Sequence, residues 1–245
     1  MVTNVIDPYF RVELLSATPN PQTVIYAALH QDYSSEFVHD EQDSFPSETK
    51  CGDIAVNRLL KSKRFHCGPL EHPQIVFNCG WFPHSTMQQV RTHRLLSFDV
   101  MSGRYTGQQI CDVALGKEDV ESVFYLRPIG TYTNRQGKHY EYTEVERNID
   151  KDWVFSSCQR YWYKLSNGMS EEHARSMIPF DVRQHWVMSM NMRSLIHLLT
   201  IRGKKDAQLE CQQLCELILP HFKAWAPEIY DWFYNNQWQK GTLAP

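Results

Sequence analysis

The irregular order of strand-like and helix-like segments is what most limits the folds open to this chain. Strand patterns fall at Val12–Leu15, Gln74–Trp81 (QIVFNCGW) and Trp186–Met190, with two more inside Phe124–Val145 around Asn134-Arg135-Gln136-Gly137, a hairpin signal. Helix patterns fall at Thr23–Leu29, Asp53–Ser62, Ser85–Leu96 and Ser156–Asn167, then after Ser170, over Met192–Arg202, from Asp206 through Pro220, and from Pro227. Ser85 and Gln88 have capping-box spacing, Gly168 suits a helix C′ position, and Asn191 suits an N-cap. His39–Lys50 reads as a polar surface loop, and Ser97–Arg104 as a turn-rich connection. Strands and helices do not alternate regularly, so a doubly wound parallel sheet is disfavoured and the fold class expected is α+β. No linker or internal repeat divides the chain, so residues 1–245 are expected to form a single domain.

Aromatic residues make up 13% and hydrophobic residues 42%, which argues against disorder. With 25 Lys and Arg against 28 Asp and Glu, the net charge of -3 excludes a globally basic nucleic-acid binder. No run approaches the roughly 20 apolar residues of a membrane helix. The first ten residues, MVTNVIDPYF, show neither a basic start nor an apolar stretch, so a cytoplasmic chain without a secretion signal is expected. Its seven scattered cysteines read as reduced thiols without a Cys-x-x-Cys pair. His66, Cys67 and His72 match no closed zinc site, and no metal is expected.

Two stretches concentrate chemistry. Gln89–Tyr105 (QVRTHRLLSFDVMSGRY) gathers Arg91, His93, Arg94 and Arg104 with Gln89, Thr92, Ser97 and Ser102 in an acidic chain. Turn amides and guanidinium forks both suit phosphate, which makes this a candidate anion pocket. A solvated helix face is the competing reading. In Asn191–Arg202 (NMRSLIHLLTIR), Arg193 and His197 lie one turn apart, and Asn191 and Arg193 sit at a helix N-terminus, where anions bind readily. A surface helix with a C-terminal arginine competes there, and Arg175 alone says little.

His93-Arg94, seven residues, then Ser102-Gly103-Arg104-Tyr105 resembles the signature of flavin-dependent thymidylate synthases, Arg-His-Arg, seven residues, Ser, then Arg. Pro69-Leu70-Glu71-His72 resembles the family's Glu-His segment, Arg175 four before Pro179 a nucleotide-binding arginine, and Asn191-x-Arg193-Ser194-Leu195 through Arg202 with Ala207-Gln208-x-Glu210 its late block. Tyr105-Thr106-Gly107 and Phe124-Tyr125-x-Arg127-Pro128 look like the cyanobacterial and cyanophage branch. The resemblance spans about Val12 to Gln239. Departures stand at Thr92 for the signature's first arginine, Asp99-Val100 for Asn-Glu, His197 for an asparagine and Asp206 for a histidine.

The resemblance implies reductive methylation of dUMP to dTMP, with methylenetetrahydrofolate as carbon donor, FAD reduced by NADPH as hydride donor, and no cysteine nucleophile. It implies a central, mostly antiparallel sheet with flanking helices in one compact domain, assembled as a homotetramer with the flavin between subunits. Small molecules are the partners, with no nucleic acid and no membrane. It carries dUMP contacts onto Gln89, Val90, Arg91, Thr92, Val100, Met101, Ser102, Gly103, Arg104, Arg175 and Arg202. FAD contacts fall on His72, Thr92, His93, Arg94, Asn191, Met192, Arg193 and His197. Arg202 is the catalytic residue, placed to stabilise the pyrimidine anion left when N3 loses its proton. Ser102 has no adjacent base, so a ligand hydrogen bond suits it better than nucleophilic attack. For His72 a core histidine bonded to backbone is the competing reading. A pyrimidine deaminase is disfavoured, because its His-x-Glu and Pro-Cys-x-x-Cys motifs are missing. The alternative of another class is a non-catalytic flavin- or nucleotide-binding oligomer of the same fold.

Overall fold

The structure, a computed structural model, describes residues 5–62, 66–134 and 136–241. Its strands are β1 (Arg11–Ala17), β2 (Gln74–Pro83), β3 (Ser97–Val100), β4 (Gly130–Thr133), β5 (His139–Tyr142) and β6 (Arg183–Asn191). Its helices are α1 (Pro21–Gln31), α2 (Glu48–Ala55), α3 (His84–Val90), α4 (Gln108–Ala114), α5 (Val120–Val123), α6 (Glu144–Ser166), α7 (Glu171–Ala174), α8 (Met192–Arg202), α9 (Leu209–Trp225) and α10 (Pro227–Asn236). The class is α+β, as the irregular element order implies. Four strands form a sheet in the order β1-β2-β6-β3. The end of β2 meets the start of β6 (His84 N to Val182 O, 3.0 Å), and the end of β6 meets the start of β2 (Met192 N to Pro73 O, 3.1 Å), so the two run antiparallel. Thr18 N donates to Gln74 O at 2.8 Å, which sets β1 antiparallel to β2 in the same way.

The contacts divide the chain into two compact units. One comprises Met1–Arg11, Cys79–Gln89 and Asp99–Trp186, and the other Val12–Asn78, Val90–Phe98 and Val187–Pro245. In the first, Ile110, Val113, Phe124, Val154, Cys158 and Tyr161 form a buried core where α4 and α5 pack on α6. The β4–β5 hairpin pairs Thr133 with His139. Its turn is closed by Asn134 Oδ1, which accepts from Gln136 N (3.0 Å) and Lys138 N (2.9 Å), while Arg135 lies outside the described residues. Arg183 is buried and anchors the N-terminal segment. Its guanidinium donates to Asp7 (3.0 and 3.3 Å), Trp81 O (2.8 Å) and Glu121 O (2.7 Å) and covers the Tyr9 ring.

In the second unit α1 packs on α2, α2 on α10, and α9 on both α8 and α10. Glu48 caps α1 from a distance, accepting from Gln22 N and Thr23 N at 2.8 Å each, which satisfies two amides of the first turn. Ile25, Leu59, Leu195, Leu198, Ile218, Phe222 and Phe233 are buried there.

Several expected boundaries are corrected. The surface loop expected over His39–Lys50 is instead a 3-10 helix (Val38–Ser44) followed by α2, capped by Ser47. The helix expected over Asp53–Ser62 is the end of α2 and a π turn, Val56–Leu60. The helix expected to run to Leu96 stops at Val90, where the backbone changes to i−3 turns: His93 N bonds Val90 O and Leu96 N bonds His93 O. Ser85 N donates to Asp181 Oδ1 at 3.1 Å, and Gln88 turns to His84. Part of the turn expected over Ser97–Arg104 is β3. Helix α6 starts at Glu144, well before Ser156, behind a Thr143–Glu146 capping box. Helix α9 starts at Leu209 rather than Asp206, with Pro220 inside it.

Candidate active site

Helix α8 supplies half of the site. Asn191 Oδ1 accepts from Ser194 N at 2.8 Å and starts the helix where the sequence places its cap. Met192, Leu195, Leu198 and Leu199 are buried, which anchors one face. Ser194, His197, Ile201 and Arg202 recur at helical spacing and line a cavity of about 460 Å³. The other wall is the turn segment after α3: Thr92, His93, Arg94, Leu95 and Leu96. Among the described residues, no carboxylate lines this cavity.

Arg202 lies in the last turn of α8, where the helix dipole favours a cation. Its Nε donates to His93 Nε2 at 3.0 Å, and its Nη2 donates to Thr92 Oγ1 at 3.0 Å. A guanidinium has donors only, so His93 Nε2 presents a lone pair and the ring proton sits on Nδ1. Burial, then the neighbouring Arg202 and His197, pull His93 from 6.5 down to about 4, so the ring is neutral at physiological pH. The His197 ring meets it edge-on with centroids 5.6 Å apart. Ser194 is buried, and among the described residues its Oγ has no hydrogen-bond partner.

The structure brings Thr92, His93, Arg94, His197 and Arg202 of the expected set into this one cavity. Asn191 serves it as the cap of α8. Val90 and Met192 are fully buried, so their side chains are core and only their backbone is left to meet a ligand. His72 and Arg91 are exposed and lie outside the cavity lining. Arg193 also lies outside it and pairs with Glu71 at 2.5 Å.

The remaining expected residues belong to the other unit. Met101 N donates to His185 O at 2.8 Å, which ties the loop after β3 to β6. Ser102 O accepts from Tyr105 N (2.9 Å) and Thr106 N (3.1 Å), and Ser102 Oγ accepts from Arg104 N at 3.4 Å. Gly103 faces open space, and Gln89 and Val100 are half-buried. Arg104 Nε pairs with Glu172 Oε1 at 2.9 Å, one turn before Arg175, which is exposed. Glu71, Glu172, Leu95, Leu96, Ser194 and Ile201 were not in the expected set. Glu71 and Ser194 stood within the motifs of the resemblance, and Ser194 and Ile201 also share the face of His197.

None of the seven cysteines forms a disulfide. Burial raises the thiols of Cys51, Cys67, Cys79, Cys111, Cys158 and Cys211, Cys158 and Cys211 to about 12, which works against a thiolate nucleophile. No cluster of metal-ligating side chains occurs among the described residues.

Fold and site together define an α+β protein whose cationic, partly apolar cavity suits an anionic ligand with an apolar part. A family model described as thymidylate synthase complementing protein matches residues 13–228. The flavin-dependent thymidylate synthase of Halobacterium salinarum is 30% identical over 248 residues, covering 96% of this chain and 100% of that one. Its counterpart in Haloarcula marismortui is 31% identical over 247 residues, covering 96% and 99%. Among solved structures, thymidylate synthase X from Helicobacter pylori with FAD and dUMP shares the fold at a TM-score of 0.69 and 18% identity, covering 93% of this chain and 98% of that one. A UMP/dUMP methylase from Streptomyces cacaoi bound with 5-Br dUMP shares it at 0.72 and 18%, covering 93% and 96%. The chain belongs to the thymidylate synthase complementing protein family, that of the flavin-dependent thymidylate synthases.

Proposed function

We propose that this chain catalyses the reductive methylation of dUMP to dTMP, with residues 1–245 working as one domain in a cytoplasmic homotetramer. The observation that carries the reading is Arg202, held by Thr92 and His93 on the wall of a cavity that no carboxylate lines among the described residues. Beside the pyrimidine, its fixed positive charge stabilises the anion formed when N3 loses its proton. Electron density then moves toward C5, and C5 attacks the carbon donor without a covalent cysteine. Because this charge is matched to the developing anion, the guanidinium accelerates the chemical step more than it tightens dUMP binding.

The cavity fits a flavin: Leu95, Leu96 and Ile201 offer an apolar wall, Arg94 a cation, and Ser194 a buried hydroxyl with no partner among the described residues. Bound FAD, reduced by NADPH, would supply the hydride, and methylenetetrahydrofolate the carbon. Proposed for FAD are Thr92, His93, Arg94, His197 and Asn191, with His72, Arg193 and the backbone of Met192 completing the set. Proposed for dUMP are Arg202, Arg91, Thr92, the backbone of Val90, Gln89, the loop Val100–Arg104, and Arg175. Arginine forks hold a phosphate by paired bonds and keep their charge at any working pH. The Arg104–Glu172 pair is half-exposed, so exchanging the carboxylate for a phosphate removes little stability. The non-catalytic alternative is not favoured, because relatives matched over nearly the whole chain are named as synthases.

The visible spectrum of the purified protein tests flavin binding. Tritium release from C5-labelled dUMP, with NADPH and the folate present, tests catalysis. A flavin spectrum with release is expected, and a colourless protein that releases no tritium would refute the reading.

A further inference from the structure

We propose that Thr92 and His93 act as an acceptor pair that fixes the guanidinium plane of Arg202, which makes Thr92 a positioning residue where the family signature carries an arginine. The inference rests on the role given to Arg202 above. A guanidinium donates and never accepts, so its orientation is set by where lone pairs are presented to it. Two such acceptors are adjacent residues on one turn: Thr92 Oγ1 takes Nη2, and His93 Nε2 takes Nε, each at 3.0 Å. Two bonds to different nitrogens of one planar group fix both its direction and its tilt. The His93 ring also meets the His197 ring edge-on. Its depressed pKa keeps the lone pair available at physiological pH.

An arginine at position 92 has no lone pair to give and would set a second cation beside Arg202. Threonine inverts that chemistry: it removes a repulsion and adds an acceptor. Its effect belongs to the chemical step, because the bond bears on where the positive charge sits as the N3 anion forms.

The test uses the FAD-loaded enzyme and steady-state tritium release from C5-labelled dUMP. Thr92→Val keeps the branched shape and removes the acceptor, and Thr92→Ser keeps the acceptor. Arg202→Ala serves as the reference. Thr92→Val is expected to lower kcat about five- to tenfold, the worth of one ordinary hydrogen bond, and to lower kcat by more than it raises KM for dUMP, in samples of matched flavin content. Thr92→Ser should hold kcat within about twofold, and Thr92→Arg should fall at least as low as Thr92→Val. Arg202→Ala without release and Thr92→Val at the parental rate would overturn the proposal alone. So would Thr92→Ser falling as far as Thr92→Val, or a loss traced wholly to missing flavin. Near-normal release by Arg202→Ala would overturn the role of Arg202 and this proposal with it.

Discussion

His93 ties stability to pH with a definite sign. In the fold its pKa lies at about 4, below the ordinary 6.5, because burial and the adjoining Arg202 and His197 oppose its charge. Between those values the unfolded chain binds a proton that the folded chain does not, so acid favours unfolding. The stabilising contribution is complete above pH 6.5 and is lost as pH falls toward 4. At 1.36 kcal/mol per pH unit the gap amounts to roughly 3 kcal/mol at most, and solvent screening at this half-open position reduces it to about 1–2 kcal/mol. The comparison is urea unfolding of ligand-free parent and His93→Phe at about pH 7.5 and about pH 4.5. His185, whose pKa burial also lowers, titrates in both proteins and cancels in the difference. The parent should lose about 1–2 kcal/mol more than His93→Phe across that interval. Parallel losses would show that the fold does not lower the His93 pKa.

Other substitutions probe the supports of the site. Gly203 follows Arg202 directly, and a Cβ there would overlap the Trp238 ring and lie 2.7 Å from Leu199 O. Gly203→Ala should therefore destabilise by about 1–3 kcal/mol, a fall of several degrees in Tm by calorimetry, and should lower turnover because the end of α8 must shift. Asp7→Ala leaves the buried Arg183 without its carboxylate and should cost about 3–5 kcal/mol in urea unfolding. A loss under about 1 kcal/mol would mean that the carbonyls of Trp81 and Glu121 suffice to hold that charge.

Local signals explain what was legible in the sequence. Helix α8 runs from Met192 to Arg202 as read, because its Asn191 cap and the periodicity of its buried face are both local. Strands β2 and β6 and the Pro227 start of α10 were readable for the same reason. Tertiary causes explain most of what was not. The four residues of β3 belong to the sheet through β6, a partner remote in sequence. Helix α6 begins with a mostly polar, solvated half, and its first buried residue is Val154, so hydrophobic periodicity shows only its second half. Helix α3 stops at Val90, and the turns that follow present Thr92 and His93 to Arg202, more than a hundred residues away. Residue type marked His93 and Arg94 as chemistry-bearing, and the family resemblance marked Arg202. That Thr92 is an acceptor for Arg202, and that Glu71 and Glu172 pair with Arg193 and Arg104, depends on folded proximity that no spacing rule encodes.

The proposed role of Arg202 in activating the pyrimidine underlies everything else at the site. Its most direct measurement is tritium release from C5-labelled dUMP by Arg202→Ala, with flavin content followed by absorbance in the same samples. FAD should stay bound and release should be abolished. Release near the parental rate from a flavin-loaded variant would contradict that role.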